Sequence, residues 1–289
     1  MQSWRKYIPH ALIFATLVAP VFIYSKVYSL EHENHHLKFA LLDIGQGDAL
    51  YIEAPNGNKV LVDGGPPHSL LAPLSQMMSF GDKDINAIVV TNPDADHYAG
   101  FIDLLKNYNV GAVIEPGTVS KTKTYATFEN LVAEKKIPDV MARKGMKIIL
   151  DEKAGVEIEI LFPDRNVSNW NSNDGSLVAK LIYKNTSVML TGDATKKTEG
   201  IVLQNNSKEI LKSDILKVGH HGSRTSTSEA FVSAVAPEFA GISDGENNSY
   251  GHPHKETLDT LNKYGVKIYR TDLVGTVIFE SDGERWWVR

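Results

Sequence analysis

The sequence predicts an α/β domain of four layers, two sheets face to face with helices outside, preceded by one N-terminal hydrophobic helix. Three observations predict it. Strand-like and helix-like segments alternate from Leu37 to the end. The strands fall into two series, with the second beginning near Met146. No long Gly/Ser/Pro linker separates the series, so they belong to one domain. The expected organisation is therefore a segment 1–36 followed by a single domain 37–289.

The elements follow in order. Leu37 to Asp43, Ala49 to Ala54 and Lys59 to Asp63 are short apolar runs separated by turn signals such as Pro55-Asn56-Gly57, and read as strands. Ser69 to Phe80 reads as a helix, Ala87 to Thr91 as a buried strand, and Tyr98 to Tyr108 as an amphipathic helix with Phe101, Leu104 and Leu105 on one face. Ala112 to Glu115 is a strand and Thr124 to Lys136 a helix. In the second series, Lys147 to Leu150, Val156 to Phe162, Leu177 to Tyr183 and Ser187 to Leu190 are consecutive strands. Strands at Ile215 to Val218, Phe239 to Ser243, Val266 to Arg270 and Thr276 to Glu280 then alternate with helices at Thr195 to Leu203, Ser226 to Ala236 and Lys255 to Tyr264.

The N-terminal segment is a different material. Arg5 and Lys6 precede Tyr7 to Ser25, a run of 19 residues without Asp, Glu, Lys or Arg. Such a run nearly spans a hydrocarbon core about 30 Å thick. Basic residues before it place the N-terminus inside and the remainder outside the cytoplasmic membrane. The expectation is a single-pass anchor with an extracytoplasmic domain; the alternative is a signal peptide cut near Val27 or Ser29, giving a secreted protein. The polar stretch from Glu31 to His36 reads as a linker.

Composition sets limits. The chain of 289 residues has a net charge of -5, so any polyanion binding must come from a local patch or a bound metal. It has no cysteine, which excludes disulfides, thiolate metal sites and a cysteine nucleophile.

Metal-ligating chemistry concentrates at strand ends. Asn92-Pro93-Asp94-Ala95-Asp96-His97 follows a buried strand and opens a helix. Thr191-Gly192-Asp193 ends a second strand, Gly219-His220-His221-Gly222 a third, and Tyr250-Gly251-His252-Pro253-His254 follows a fourth. Helix capping explains an Asp or Asn at any one of these places. Four strand ends carrying Asp or His favour convergence on an ion instead.

These motifs resemble the metallo-β-lactamase superfamily, in the version found in the hydrolase domain of ComEC-type DNA-uptake proteins. The resemblance also takes in Asp43-Ile44-Gly45-Gln46-Gly47-Asp48-Ala49, Asp63-Gly64-Gly65 and His220-His221-Gly222-Ser223, and it covers about Lys38 to Arg289. It implies a four-layer αββα fold and a site for one or two divalent ions, Mn²⁺ or Zn²⁺. It assigns Asn92, Asp94, Asp96, His97, Asp193, His220 and His221 as metal-site residues, with Asp96 and His252 as catalytic residues. Asp96, His97, Asp193 and one of His220 or His221 would hold one position, with Asp193 as bridge.

The departure from the pattern is Asn92, where the family carries His. The other position keeps Asp94 and a weak neutral ligand, so it is expected to fill poorly. Asp63 has two readings, a turn residue or a carboxylate that orients a ligand histidine. His252 would touch a substrate phosphate or donate a proton. Asn173 and Ser176 are expected to line the site. Lys196 and Lys197 read as a solvated helix start, and His68 and His254 as bystanders.

The implied function is metal-dependent hydrolysis of a phosphodiester, DNA first, in association with DNA-uptake machinery. The alternatives are a cell-envelope or choline-type phosphoesterase and a non-catalytic DNA- or partner-binding domain. With one hydrophobic span, the chain is not expected to form the channel itself.

Overall fold

A computed structural model describes residues 36–289. The expected hydrophobic helix, the anchor or signal, and most of the linker lie outside the described residues. Among the described residues, no helix is long and apolar enough to cross a membrane.

The strands, in chain order, are β1 (Leu37–Leu41), β2 (Leu50–Glu53), β3 (Lys59–Val62), β4 (Asp84–Ile85), β5 (Ala87–Val89), β6 (Asn109–Val110), β7 (Val113–Glu115) and β8 (Asp139–Met141). They continue with β9 (Lys147–Asp151), β10 (Val156–Phe162), β11 (Val178–Tyr183), β12 (Thr186–Leu190), β13 (Ile215–Lys217), β14 (Phe239–Ile242), β15 (Lys267–Arg270), β16 (Val277–Ser281) and β17 (Trp286–Val288). One sheet runs β17-β16-β1-β2-β3-β5-β7-β8 and the other β15-β14-β13-β12-β11-β10-β9. The short pair β4 and β6 stands apart.

The alternation in β1 shows how the layers arise. Leu37, Phe39 and Leu41 enter an apolar core shared with Val188, Leu190, Ile215 and Phe239 of the second sheet. Ala40 and Leu42 point the other way, into a core built with helical residues Leu74, Phe101, Leu104 and Phe128. The second sheet has the same two faces: Met189 and Leu216 pack with Val202, Phe231, Val232 and Leu261 of its covering helices. Each fully buried Leu or Phe contributes about 1.5–3 kcal/mol of transfer free energy, so both faces of both sheets drive the stacking. The result is the expected αββα arrangement.

Several elements differ from the sequence reading, among them the short strands β4 and β6, and three of the differences have a plain cause. The helix expected over Tyr98 to Tyr108 is two, Ala95–Tyr98 and Phe101–Asn107, because Ala99-Gly100 packs tightly against the Gly64-Gly65 turn: Gly100 N–H donates to the Gly65 carbonyl. Strand β8 was missed because it is a three-residue edge with Asp139 and Met141 exposed. Strand β17 was missed because it is an edge of three residues beside the C-terminus.

The topology fixes where side chains can meet. Parallel strands β3 and β5 of the first sheet and β12, β13 and β14 of the second end at one edge of the sandwich. The residues immediately after each strand form the rim of one cleft.

Candidate metal centre

From the first sheet come Asp63 and the turn Thr91–His97. Asp63 is buried and adopts φ 61°. That left-handed conformation costs a non-glycine residue about 1–3 kcal/mol. It is held by what the carboxylate does: Oδ1 accepts from the Thr91 N–H at 2.7 Å, and Oδ2 accepts from Thr91 Oγ1 at 2.6 Å and faces His97 Nδ1 at 2.8 Å. Both sequence readings of Asp63 therefore hold at once. It makes the turn, and it orients the His97 ring so that Nε2 faces Asp193.

From the second sheet come Asp193 and the histidine pair. Gly192 has φ 48°, and a Cβ there would lie 2.5 Å from Thr91 Oγ1. Glycine thus lets the end of β12 close onto the first sheet and brings Asp193 Oδ2 to 3.1 Å from His97 Nε2. His220 and His221 are both left-handed, at φ 48° and φ 52°. This backbone turn sends two sequence neighbours in different directions. His221 is buried, donates from Nδ1 to the Ser243 carbonyl at 2.9 Å, and turns Nε2 to Asp96 Oδ2 at 3.5 Å and Asp193 Oδ1 at 3.6 Å. His220 is partly exposed, bonds Thr225 Oγ1 through Nδ1, and places Nε2 at 3.7 Å from Asp193 Oδ2.

Buried polar atoms at this point without a hydrogen-bond partner include His97 Nε2, His221 Nε2 and Asp193 Oδ1, with Asp48 Oδ1 beside them. An unsatisfied buried polar atom is costly, and three converging with Asp96 fit a cation in place of a hydrogen bond. Ligand atoms of Asp96, His97 and His221 lie within 4.8 Å of one another, as do those of Asp48, His97 and Asp193. Two imidazoles and two carboxylates make a donor set that suits a divalent transition ion.

The electrostatics point the same way. Burial disfavours charge on His221, but Asp193 and Asp48 more than offset it and push its pKa up to about 10. Burial likewise opposes charge on His97, and Asp193 and Asp63 together raise it well above free imidazole. Asp193 feels a large desolvation cost, yet His97 and His221 hold it far below the usual carboxylate range. A field that raises two imidazoles this way also attracts a metal cation.

Asp48 and Lys217 are residues that sequence reasoning did not single out. Lys217 is fully buried, and its Nζ donates to Asp48 Oδ2 at 2.6 Å. Asp48 Oδ1 faces His221 Nδ1 at 3.4 Å. Gly47 at φ 130° allows the approach, since a Cβ there would meet the Asp96 carbonyl at 2.4 Å. A signal was available: Lys217 is a lone charge in the apolar strand Ile215-Leu216-Lys217-Val218, which demands a buried partner.

The Asn92 side of the cleft has a different character. Asn92 is buried; its Oδ1 accepts from the Asp94 N–H at 2.8 Å, and its Nδ2 donates to Asn173 Oδ1 at 3.3 Å and Ser176 Oγ at 3.4 Å. Asp94 Oδ2 accepts from Ser172 Oγ at 2.8 Å. No imidazole belongs to this network.

A cleft of about 300 Å³ opens over both halves, lined by Gln46, Asp94, Ala95, Asp96, Asn173, Asp193, His220, His221, Tyr250 and His252. His252 Nδ1 is buried without a partner, and burial with the nearby His221 and His220 holds the ring's pKa down to about 4. Lys197 pairs instead with Asp174, and His68 with Asp103; neither lines the cleft. A second cavity of about 290 Å³ lies between β8 and β9, but no carboxylate or imidazole lines it.

The sequence profile described as the metallo-beta-lactamase superfamily matches residues 42–240. Among curated proteins, the chain is 33% identical to ComE operon protein 3 of Bacillus subtilis, covering 82% of this chain and 32% of that protein. It is 31% identical to recombination protein 2 of Haemophilus influenzae, covering 82% and 28%. It is 27% identical to competence protein ComA of Neisseria gonorrhoeae, covering 82% and 31%. The chain thus spans about a third of the length of the relatives it matches. The fold, the strand-end cluster of Asp and His, and a profile match over most of the domain agree: this chain belongs to the metallo-beta-lactamase superfamily.

Proposed function

We propose that this domain is a metal-dependent phosphodiesterase that cleaves DNA outside the cytoplasmic membrane. The observation that carries the reading is the convergence of unpartnered His97 Nε2, His221 Nε2 and Asp193 Oδ1 with Asp96 on the floor of an open cleft. The narrowing to DNA draws support from the names of similar proteins, recombination protein 2 and competence protein ComA. A partner in DNA-uptake machinery and tethering through residues 1–36 belong to the same reading.

Asp96, His97, Asp193 and His221 would hold one ion, Mn²⁺ or Zn²⁺, while the Asn92–Asp94 side would bind a second weakly. A divalent ion held there would supply Lewis acidity and would lower the pKa of water toward ~7. The residues do the rest. Asp63 and the Ser243 carbonyl keep the two rings aimed inward. His220 and His252 face the cleft and can donate N–H hydrogen bonds to non-bridging phosphate oxygens, where charge builds up in the transition state. Asp96, at the floor, would hold the ion and lie beside the reacting group.

The test is elemental analysis of the purified chain, followed by cleavage of end-labelled single-stranded DNA before and after chelation and re-addition of Mn²⁺ or Zn²⁺. The reading requires bound metal and chelator-sensitive cleavage that Asp96→Asn and His97→Ala abolish. Metal-loaded protein that leaves DNA intact refutes it.

A further inference from the structure

We propose that Tyr250, backed by His252, is a stacking platform for the nucleobase beside the scissile phosphate, so that the cleft selects base-bearing phosphodiesters. The inference rests on the phosphodiesterase reading and adds a substrate determinant to it. Tyr250 is 65% exposed and lines the cleft; none of the other exposed large apolar side chains among the described residues does so. An aromatic ring held in water at the mouth of a polar site is positioned for a partner with a flat π face.

The ring is braced. It lies 21° from the plane of His252, with centroids 5.7 Å apart. His252 in turn meets His254 edge-on at 4.9 Å and His220 at 5.6 Å. With one face against His252, the exposure of Tyr250 belongs to its other face and edge. The loop that carries it is pinned by Asn248, whose Oδ1 accepts from His252 N–H and whose Nδ2 donates to the Gly245 and His252 carbonyls. A preorganised ring loses little entropy when a base stacks on it.

The placement fits a nucleotide. His252 is 6.2 Å from His221, centroid to centroid, and Tyr250 is the next ring outward. A phosphate at the Asp193–His221 floor therefore has an aromatic surface one ring away from its neighbouring imidazole. A choline head group would use the same ring through its cation, and the test separates the two.

The full chain, loaded with Mn²⁺, is assayed on a single-stranded oligodeoxynucleotide, on an abasic strand of the same length, and on p-nitrophenylphosphorylcholine. The intact strand should show a KM lower than the abasic strand by about fivefold or more, since base–aromatic stacking is sequence-tolerant but substantial. Tyr250→Ala should collapse that ratio with metal content unchanged, while Tyr250→Phe and Tyr250→Trp keep it. Cleavage of both strands without a KM gap, or a gap that survives Tyr250→Ala, overturns the platform and leaves the phosphodiesterase reading standing. Tyr250-dependent turnover of the choline ester alone overturns the platform and the choice of DNA as substrate, because that ester is a phosphodiester without a base.

Discussion

Replacing Lys217 with Met should lower the stability of this domain sharply, and the cause is electrostatic. The two side chains are similar in length, so the apolar packing of the stem is largely kept. What is lost is the ammonium that sits 2.6 Å from Asp48 Oδ2 and also donates to the Val218 carbonyl. Both partners are fully buried. Desolvation works against charge on Asp48, and Lys217, ahead of His221, overcomes it and holds the carboxylate well below its usual range. Removing one member of a buried pair costs about 3–5 kcal/mol, because the other charge is left without compensation. In a domain of this size each kcal/mol moves Tm by about 2–4 °C, so a fall of roughly 10 °C is expected. The assay is urea denaturation in the presence of chelator, since an ion near Asp193 would partly neutralise Asp48. The double variant Lys217→Met with Asp48→Asn removes both charges and should recover most of the loss. A single variant within about 1 kcal/mol of the parent, or a double variant no better than the single, would show that the pair is not what stabilises this end of β13.

Three further outcomes follow from the geometry. Asp193→Ala should abolish metal binding by calorimetry, whereas Asp94→Ala should leave it within about tenfold, because Asp193 joins His97, His220 and His221 while Asp94 is tied to Ser172; equal losses contradict an asymmetric centre. Asn92→His should raise the metal content above one ion by elemental analysis, at about 1–3 kcal/mol of stability, because the larger ring enters a fully buried position; an unchanged count in a folded protein means residue 92 does not face the ion. Glu115, which accepts from Tyr125 Oη at 2.7 Å, has its pKa raised to about 7 by burial first, with Asp139 adding to it. A carboxyl raised in the folded state is stabilising below its unfolded pKa and loses that contribution as pH climbs toward 7. Glu115→Gln should therefore gain about 1–3 kcal/mol relative to the parent between pH 4.5 and pH 8 in urea melts; parallel stabilities across that range would refute the assignment.

What could be read in the sequence was whatever depends on local period. The alternation of Leu37, Phe39 and Leu41 declares a strand with one face in a core, and the apolar run Val188-Met189-Leu190 before Thr191 declares a buried strand ending at a polar turn. Strand ends carrying Asp96, His97, Asp193 and His221 could be named as a cluster because the strands of both sheets that precede them end at one edge of the sandwich. The choice between His220 and His221 could not be made, because it depends on two successive left-handed residues rather than on composition. Asp48 stayed hidden because its partners, Lys217 and His221, lie about 170 residues away. Tyr250 looked like one letter of a motif, and only its exposure beside the cleft gives it a role of its own.

The two halves of the cleft differ most in charge. Around His97 and His221 stand four carboxylates, Asp48, Asp63, Asp96 and Asp193, and the buried cation Lys217 answers one of them. Protons drawn onto His97 and His221 supply two more positive charges when no ion is bound. One divalent ion carries the same charge as those two protons, and it also satisfies the ring nitrogens and carboxylate oxygen that have no hydrogen-bond partner. The cluster keeps one net negative charge in either form. Across the cleft, Asn92, Asn173 and Ser176 are neutral and bonded to each other, and Asp94 is the one carboxylate in their network. A divalent ion gains little there in exchange for its hydration. The asymmetry between the two halves thus follows from the count of buried charges, and an imidazole at position 92 should raise occupancy there above one ion but short of two, because it supplies a better donor without the missing negative charge.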